Sequence, residues 1–522
     1  MKFTRSSGII LHPTSLPGPD GIGDLGPEAY RWVNFLKRTG CGLWQVLPLS
    51  PTGYGDSPYQ SFSAFAGNPY LISPTLLLDD DLLTAADLVD RPNLPAEQVD
   101  YGPVIQWKLK VLDRAFEHFK SEAPAELKQQ LSQFQAGQAS WLEDFALFMA
   151  IKESQGMISW EGWPMPLRTR EAGALNKFRQ ENAEAIERTI FRQFLFYRQW
   201  ENLHKYTNDQ GIKIIGDIPI FVAFDSADAW SHPELFFMDE ERKPTFVAGV
   251  PPDYFSATGQ LWGNPIYKWD VHKQTGYAWW IERIRATLKL FDAIRLDHFR
   301  GFAGYWEIPA GSPTAETGQW KPGPGVSLFE AIRAALQDLP IIAEDLGEIT
   351  PDVIELRDTL GLPGMKVLQF AFQTDAHDPF LPHNYPRNCV AYTGTHDNDT
   401  TTGWYRTAME KEKDMARRYL ARPGDDIAWD FIRLAWSSVA NFTLAPMQDF
   451  LSLGTEARMN QPGRLGGNWS WRMKESVLTD ETLINRIHEA NLLYGRMLGE
   501  EVEDPGKVIK ITPKAKDMLE AK

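Results

Sequence analysis

The sequence predicts an α/β protein built on a (β/α)8 barrel, with a large helical insertion and a second, loop-rich insertion over the C-terminal face of the barrel. Three observations carry this. Eight short β-branched or apolar runs recur along the chain, most of them separated by helical patterns, as parallel strands with helical crossovers require. Several of these runs hold charged residues in their C-terminal part, namely Asp217, Asp297, Glu344 and Asp397, and a (β/α)8 barrel gathers its chemistry at that end. A doubly wound sheet also places ligands beyond its strand ends, but acids spread over four of eight runs favour closure. Finally, the pattern changes to helix after helix between about residues 75 and 210.

Taken in order, GIILHPTSL leads into the helix-like PEAYRWVNFLKRTG, and GLWQVLPLSP is the second run. Residues 75–210 then read as an inserted helical subdomain. It includes LNKFRQENAEAIERTIFRQFLFYRQWENLHKY, whose apolar residues fall at helical spacing among mixed charges. IKIIGDIPIF is the third run. Residues 231–276, with FVAGVPPDYFSATGQLWGNPIYKW, are long for a plain connection and rich in Gly, Pro and aromatics, so they read as an irregular, lid-like insertion. FDAIRLDHF follows the helical GYAWWIERIRATLKLF, PIIAEDLG follows LFEAIRAALQDL, and GMKVLQFAF, CVAYTGTHD and NFTLAPMQDF complete the set. Residues 1–74 and 211–500 are thus assigned to the barrel, and the charged residues 501–522 to a peripheral C-terminal tail.

The bulk numbers narrow the function. At 522 residues a sizeable core is available, and 43% hydrophobic with 23% charged residues is globular composition. A net charge of -16 leaves no broad basic surface, which argues against nucleic acid or an anionic membrane as partner. Only Cys41 and Cys389 are present, excluding a disulfide framework and a multi-cysteine zinc site, and a reducing compartment follows. The short apolar run before His12 is too brief for a signal-peptide core, and no segment approaches the roughly 20 apolar residues of a membrane span. A cytoplasmic protein is expected.

Two motifs mislead. GIGDLG formally matches the dinucleotide fingerprint, but LPGPD separates it from the preceding strand, and GLWQVLPLSP ends without the acid that would hold a ribose. THDND, from Thr395 to Asp399, brings together ligand-type residues. A single His-Asp pair without a His-x-x-x-His cluster is nevertheless weak support for a metal, even with His298 as a second candidate.

The carboxylates are more informative. Alternation along DAIRLDHF places Arg295 and Asp297 on one face, and along IKIIGDIPIF it places Ile215, Asp217 and Pro219 together. Alone, Arg295 and Asp297 are also what a barrel ion pair looks like. The guanidinium favours the ionised form of Asp297, whereas Glu344 ends a more apolar strand, where burial would hold its proton. Two carboxyl groups driven apart in this way meet the requirement for glycoside cleavage through a covalent intermediate. Asp397 adds a third acid.

The stretches LHPTSLPGPDGIGDLG, SPYQSFSAFAGNPYL, GDIPIFV, GVPPDYFSATGQLWGNPIY, DAIRLDHFRGF, AEDLG, TGTHDND, RMNQPG and GNWSWR together resemble the 4-α-glucanotransferases of glycoside hydrolase family 77, relatives of the α-amylases. They run in order over nearly the whole chain. The resemblance implies Asp297 as the nucleophile, Glu344 as the general acid/base and Asp397 as the transition-state stabiliser. It further implies Asp217, Arg295, His298 and His396 at the subsite beside the scissile bond, Tyr59 stacked on the donor glucose with Ser57 nearby, and Asp253, Tyr254, Phe255 and Trp262 in a loop over the cleft. Asn468 would be a polar contact, and Tyr54 with Tyr101 a second glucan site. The implied activity moves α-1,4-glucan segments from a malto-oligosaccharide donor to the 4-OH of an acceptor glucan or glucose by retaining double displacement, with α-glucans as partners and no cofactor or metal.

The acids alone specify transfer to some acceptor, and water is one. At about 55 M, water must be outcompeted by a positioned sugar hydroxyl and partly excluded. The segment PPDYFSATGQLW, with Gly259 inside it and Gly263 just after, is the expected cover. An α-glucan hydrolase with the same acids, and a non-catalytic glucan-binding protein, are the competing readings.

Overall fold

The computed structural model describes residues 5–252, 256–464 and 466–499. Twelve strands are present among them: β1 (Ser6–Ile10), β2 (Leu43–Gln45), β3 (Lys213–Pro219), β4 (Phe246–Val250), β5 (Gln260–Pro265), β6 (Ala293–Asp297), β7 (Gly304–Pro309), β8 (Gln319–Pro322), β9 (Ile341–Ala343), β10 (Gly364–Val367), β11 (Cys389–Tyr392) and β12 (Phe442–Pro446). Eight close into a parallel barrel in the order β1-β12-β11-β10-β9-β6-β3-β2. Each of the eight apolar runs supplies one of these strands.

Alternation divides the strand side chains into two layers. Ile10, Leu43, Ile215, Ala293, Ile342, Met365, Val390, Tyr392, Phe442 and Leu444 form one buried cluster, which fills the barrel interior. Their neighbours Ile9, Trp44, Ile214, Ile294, Ile341, Ala391 and Ala445 join the large cluster shared with the surrounding helices. The parity that sends Ile215 and Ala293 inward therefore sends Asp217 and Arg295 inward one step nearer the C-terminal end. Gly216 lies between Ile215 and Asp217 because a Cβ there would meet the Phe291 ring at 2.1 Å, closer than any real contact.

The helices show how local sequence sets their ends. Pro27–Thr39 begins with proline at its first turn and stops at Gly40, whose φ of 75° lets its N–H reach back to the Leu36 and Lys37 carbonyls. It buries Trp32, Val33, Phe35 and Leu36. Between β2 and β3 the chain runs through Tyr101–Glu122, Ala125–Gly137, Leu142–Ser154, Ala172–Glu181 and Ala183–Asp209. In the last of these, the buried amides of Gln193 and Gln199 act as surrogate backbone. Gln193 exchanges hydrogen bonds with Gly67, at 2.7 and 2.9 Å, and Gln199 does so with Ser73, at 2.7 and 3.2 Å. The loop leaving β2 is thereby fastened to the helix that leads into β3.

Residues 231–276 are less irregular than the sequence suggested. They hold β4 and β5, which join β7 and β8 from the connection after β6 in an antiparallel sheet of order β5-β4-β7-β8. Pairing across two successive barrel connections made these strands hard to read locally. Trp306 and Trp320 face each other across β7 and β8, their rings 5.2 Å apart, and the Arg300 guanidinium lies 3.9 Å over Trp320. Among the described residues no helix is long and apolar enough to cross a membrane.

Candidate active site

The acids converge at the C-terminal end of the barrel by different backbone routes. In the parallel register of β3 and β6, Asp217 pairs with Arg295 and Pro219 with Asp297. Arg295, only 3% exposed, divides its guanidinium between two carboxylates. Nη1 donates to Asp217 Oδ2 and Nη2 to Asp297 Oδ1, both at 2.7 Å. Burial opposes the guanidinium charge, but Asp217 and Asp297 more than offset it and raise Arg295 well above its ordinary value. Tyr59 reaches the same oxygen of Asp217 through its hydroxyl at 2.7 Å, and its ring stacks on His396 with centroids 5.0 Å apart.

Glu344 follows β9 directly. Its Oε2 accepts the His298 N–H at 2.7 Å and its Oε1 the Leu346 N–H at 2.9 Å. Burial pushes this carboxyl well above the usual glutamate range, and neither Arg295 nor the two N–H groups cancel that. The His298 N–H can point there because its backbone is left-handed (φ 52°, ψ 48°), a conformation that costs a non-glycine residue about 1–2 kcal/mol. Burial lowers the His298 imidazole to about 4, so the ring is neutral near pH 7. The ring stands nearly perpendicular to that of Trp262 of β5, with centroids 4.8 Å apart.

Asp397 does not end a strand as its sequence suggested. The β11 ladder stops at Tyr392, and side chains take over the backbone beyond it. Asn398 Oδ1 accepts the N–H and hydroxyl of Thr395 at 2.9 Å each, and buried Asp449 accepts the Thr393 hydroxyl together with the N–H and hydroxyl of Thr401. On this braced loop, His396 Nε2 stands 3.2 Å from Asp397 Oδ2 and Asn460 Nδ2 donates to Asp397 Oδ1 at 2.6 Å. Desolvation works to raise the Asp397 carboxyl, but His396 and Asn460 outweigh it and hold the group well below the usual range.

These side chains border an open cleft of about 940 Å³. Ser57, Tyr59, Trp262, Asp297, His298, His396 and Asp397 line it, while Asp217, Arg295 and Glu344 are buried against them. A family model described as 4-alpha-glucanotransferase matches residues 11–479. The chain belongs to that family. It is 53% identical over 489 residues to the 4-alpha-glucanotransferase of Thermus thermophilus, covering 92% of this chain and 97% of that one. To the Clostridium butyricum 4-alpha-glucanotransferase it is 46% identical, over 93% and 100% of the two chains. The amylomaltase from Streptococcus agalactiae, solved in complex with acarbose, superposes with a TM-score of 0.92 at 43% identity, covering 94% of this chain and all of that one.

Other residues named from the sequence stand elsewhere. Asn468 turns back on its own loop, accepting the Gln461 N–H at 3.0 Å and donating to the Arg464 carbonyl at 2.9 Å. Tyr54 is 74% exposed on a short turn, whereas Tyr101 packs near Leu47 and Trp469 with its hydroxyl on the Trp469 carbonyl at 2.9 Å. Asp253, Tyr254 and Phe255 lie outside the described residues. Sequence reasoning missed Asn460, Trp469, Gln260 and Asn264, which also line the cleft. The first two sit in RMNQPG and GNWSWR, so the motifs marked the region but not the residues. Among the described residues no three His, Cys, Asp or Glu side chains gather in a way that could hold a metal ion.

Proposed function

We propose that Asp297 and Glu344 carry out glucan transfer by double displacement with net retention, acting on malto-oligosaccharides and longer α-glucans. The observation that carries this reading is the pair of contrasting carboxyl environments at one cleft: Asp297 paired with a buried guanidinium, and Glu344 buried with its proton affinity raised. Arg295 occupies Asp297 Oδ1, which leaves Oδ2 as the oxygen to attack the anomeric carbon. As that bond forms, the bond from the anomeric carbon to the glycosidic oxygen breaks, and Glu344 supplies the proton to the departing sugar. The 4-hydroxyl of an acceptor then attacks the same carbon, Glu344 takes its proton, and Asp297 is released as the carboxylate.

In the described geometry both Glu344 oxygens rest on backbone N–H groups. Proton donation therefore entails turning the carboxyl off the His298 and Leu346 amides toward the bound sugar. Asp397, held at both oxygens, is placed to bind sugar hydroxyls and to oppose the positive charge that develops on the ring. The neutral His298 ring, Tyr59 and Trp262 give the sugar polar edges and aromatic faces. Trp262 and the lid sheet around it supply the partial exclusion of water that transfer needs.

Incubation with maltotriose tests the reading. Transfer yields glucose together with maltopentaose and longer chains, whereas shorter products alone would make the protein a hydrolase. Inversion at the anomeric carbon, followed by NMR, would overturn the double displacement.

A further inference from the structure

Asp397 is gripped from two directions, and only one grip comes from its own loop. His396 precedes it in the chain, but Asn460 reaches it from a segment more than sixty residues later. That segment is tied to the Asp397 loop throughout. The Asn460 N–H donates to the His396 carbonyl at 3.1 Å, Arg458 Nη2 donates to the Asp397 carbonyl at 2.6 Å, and Arg458 Nε donates to the Asn460 carbonyl at 2.7 Å. Asn460 Nδ2 then closes on Asp397 Oδ1 at 2.6 Å, while Oδ2 faces His396. A carboxylate held at one oxygen can rotate about that contact; one held at both keeps its plane.

We infer that Asn460 is a positioning residue for the transfer reaction, fixing the Asp397 carboxylate in the orientation in which it meets the reacting sugar. The inference rests on the role proposed above for Asp397. An amide suits this position because it donates to the carboxylate without adding charge. The groups already facing Asp397 are the His396 imidazole on its own loop and the hydroxyl of Tyr59, whose ring stacks on that imidazole, with the guanidinium charges of Arg295 from β6 and of Arg458 along its backbone. Lysine at position 460 would shift that balance, and aspartate would oppose it directly.

The test uses the intact chain, with kcat and KM for maltotriose disproportionation measured for Asn460→Ala, Asn460→Asp and Asp397→Asn beside the native protein. Asn460→Ala is expected to lower kcat about ten- to a hundredfold with KM within about twofold, as loss of a hydrogen bond to a charged group would give. Asn460→Asp keeps the shape but sets two carboxyl groups against each other. It should be least active near pH 8 and regain activity relative to the native protein toward about pH 5, where the pair shares one proton and a donor to Asp397 is restored. A merely structural role would not give that pH-dependent ratio. Asn460→Ala with native kcat, or a loss confined to KM, overturns the inference while Asp397→Asn stays inactive. If Asp397→Asn keeps more than a tenth of the activity, the reading of Asp397 fails and the inference falls with it.

Discussion

Replacing Arg295 with methionine removes a buried cation that two carboxylates share. The Arg295 and Asp217 side chains are 4% and 0% exposed, and Asp217 Oδ1 has no hydrogen-bond partner among the described residues. Without the guanidinium, Asp217 keeps only the Tyr59 hydroxyl, close to a second carboxylate on Asp297. Breaking a buried pair on one side costs about 3–5 kcal/mol when the remaining charge stays. Asp217 can escape part of this by binding a proton, because burial and the neighbouring Asp297 already raise its carboxyl, and loss of Arg295 removes the main opposing influence. The sign follows from that direction. A carboxyl raised in the folded state favours folding below its unfolded value, and that contribution is lost as pH rises through the folded value. The variant's deficit should therefore be small near pH 5 and grow toward about 3–5 kcal/mol near pH 8. Urea unfolding of both proteins at the two pH values, followed by circular dichroism, measures it. A deficit below about 1 kcal/mol at both, or one that does not change with pH, would refute the argument.

Asp297→Asn should abolish transfer while leaving the thermal midpoint near that of the native protein; retention of even about a tenth of the activity is incompatible with the proposed nucleophile. Because burial raises Glu344, the basic limb of kcat/KM, on which that proton is lost, should lie well above the ordinary glutamate value. A limb at the ordinary value of an exposed glutamate would contradict this. Trp262→Ala should raise the glucose released per transfer event, since it opens the side of the cleft where that ring meets His298; an unchanged ratio would remove Trp262 from water exclusion. Gly216→Ala forces a Cβ into the Phe291 ring and should destabilise the protein by about 1–3 kcal/mol, read as a lowered melting temperature, whereas a neutral result would show that the β3 backbone can move aside.

The barrel was legible because its cause is local and repeated. Each strand had to bury both faces, so each appeared as a compact apolar run, and the helices between them kept their own period. The four-stranded antiparallel sheet lacked that support. Among the described residues β5 pairs with β4 and β4 in turn with β7 from the next barrel connection, and Gln260, Leu261 and Trp262 are not buried, so little hydrophobic alternation marks them. The end of β11 was misjudged for a related reason. Thr393 and Thr395 are good strand residues, but the Thr393 hydroxyl is captured by Asp449 and the Thr395 hydroxyl and N–H by Asn398, distant or loop acceptors that no local period announces.

By itself the sequence determined which residue types occupy the barrel mouth, and in DAIRLDHF it determined that Arg295 and Asp297 share a face, since side-chain parity along a strand is a property of the backbone. Tertiary structure decided with whom they share it. The register of β3 against β6 brings Asp217 to Arg295, the left-handed turn at His298 aims an N–H at Glu344, and a segment more than sixty residues beyond Asp397 returns to place Asn460 on its second oxygen. These contacts depend on how separate elements dock, and docking is fixed by the packing of the whole core rather than by any single stretch of chain.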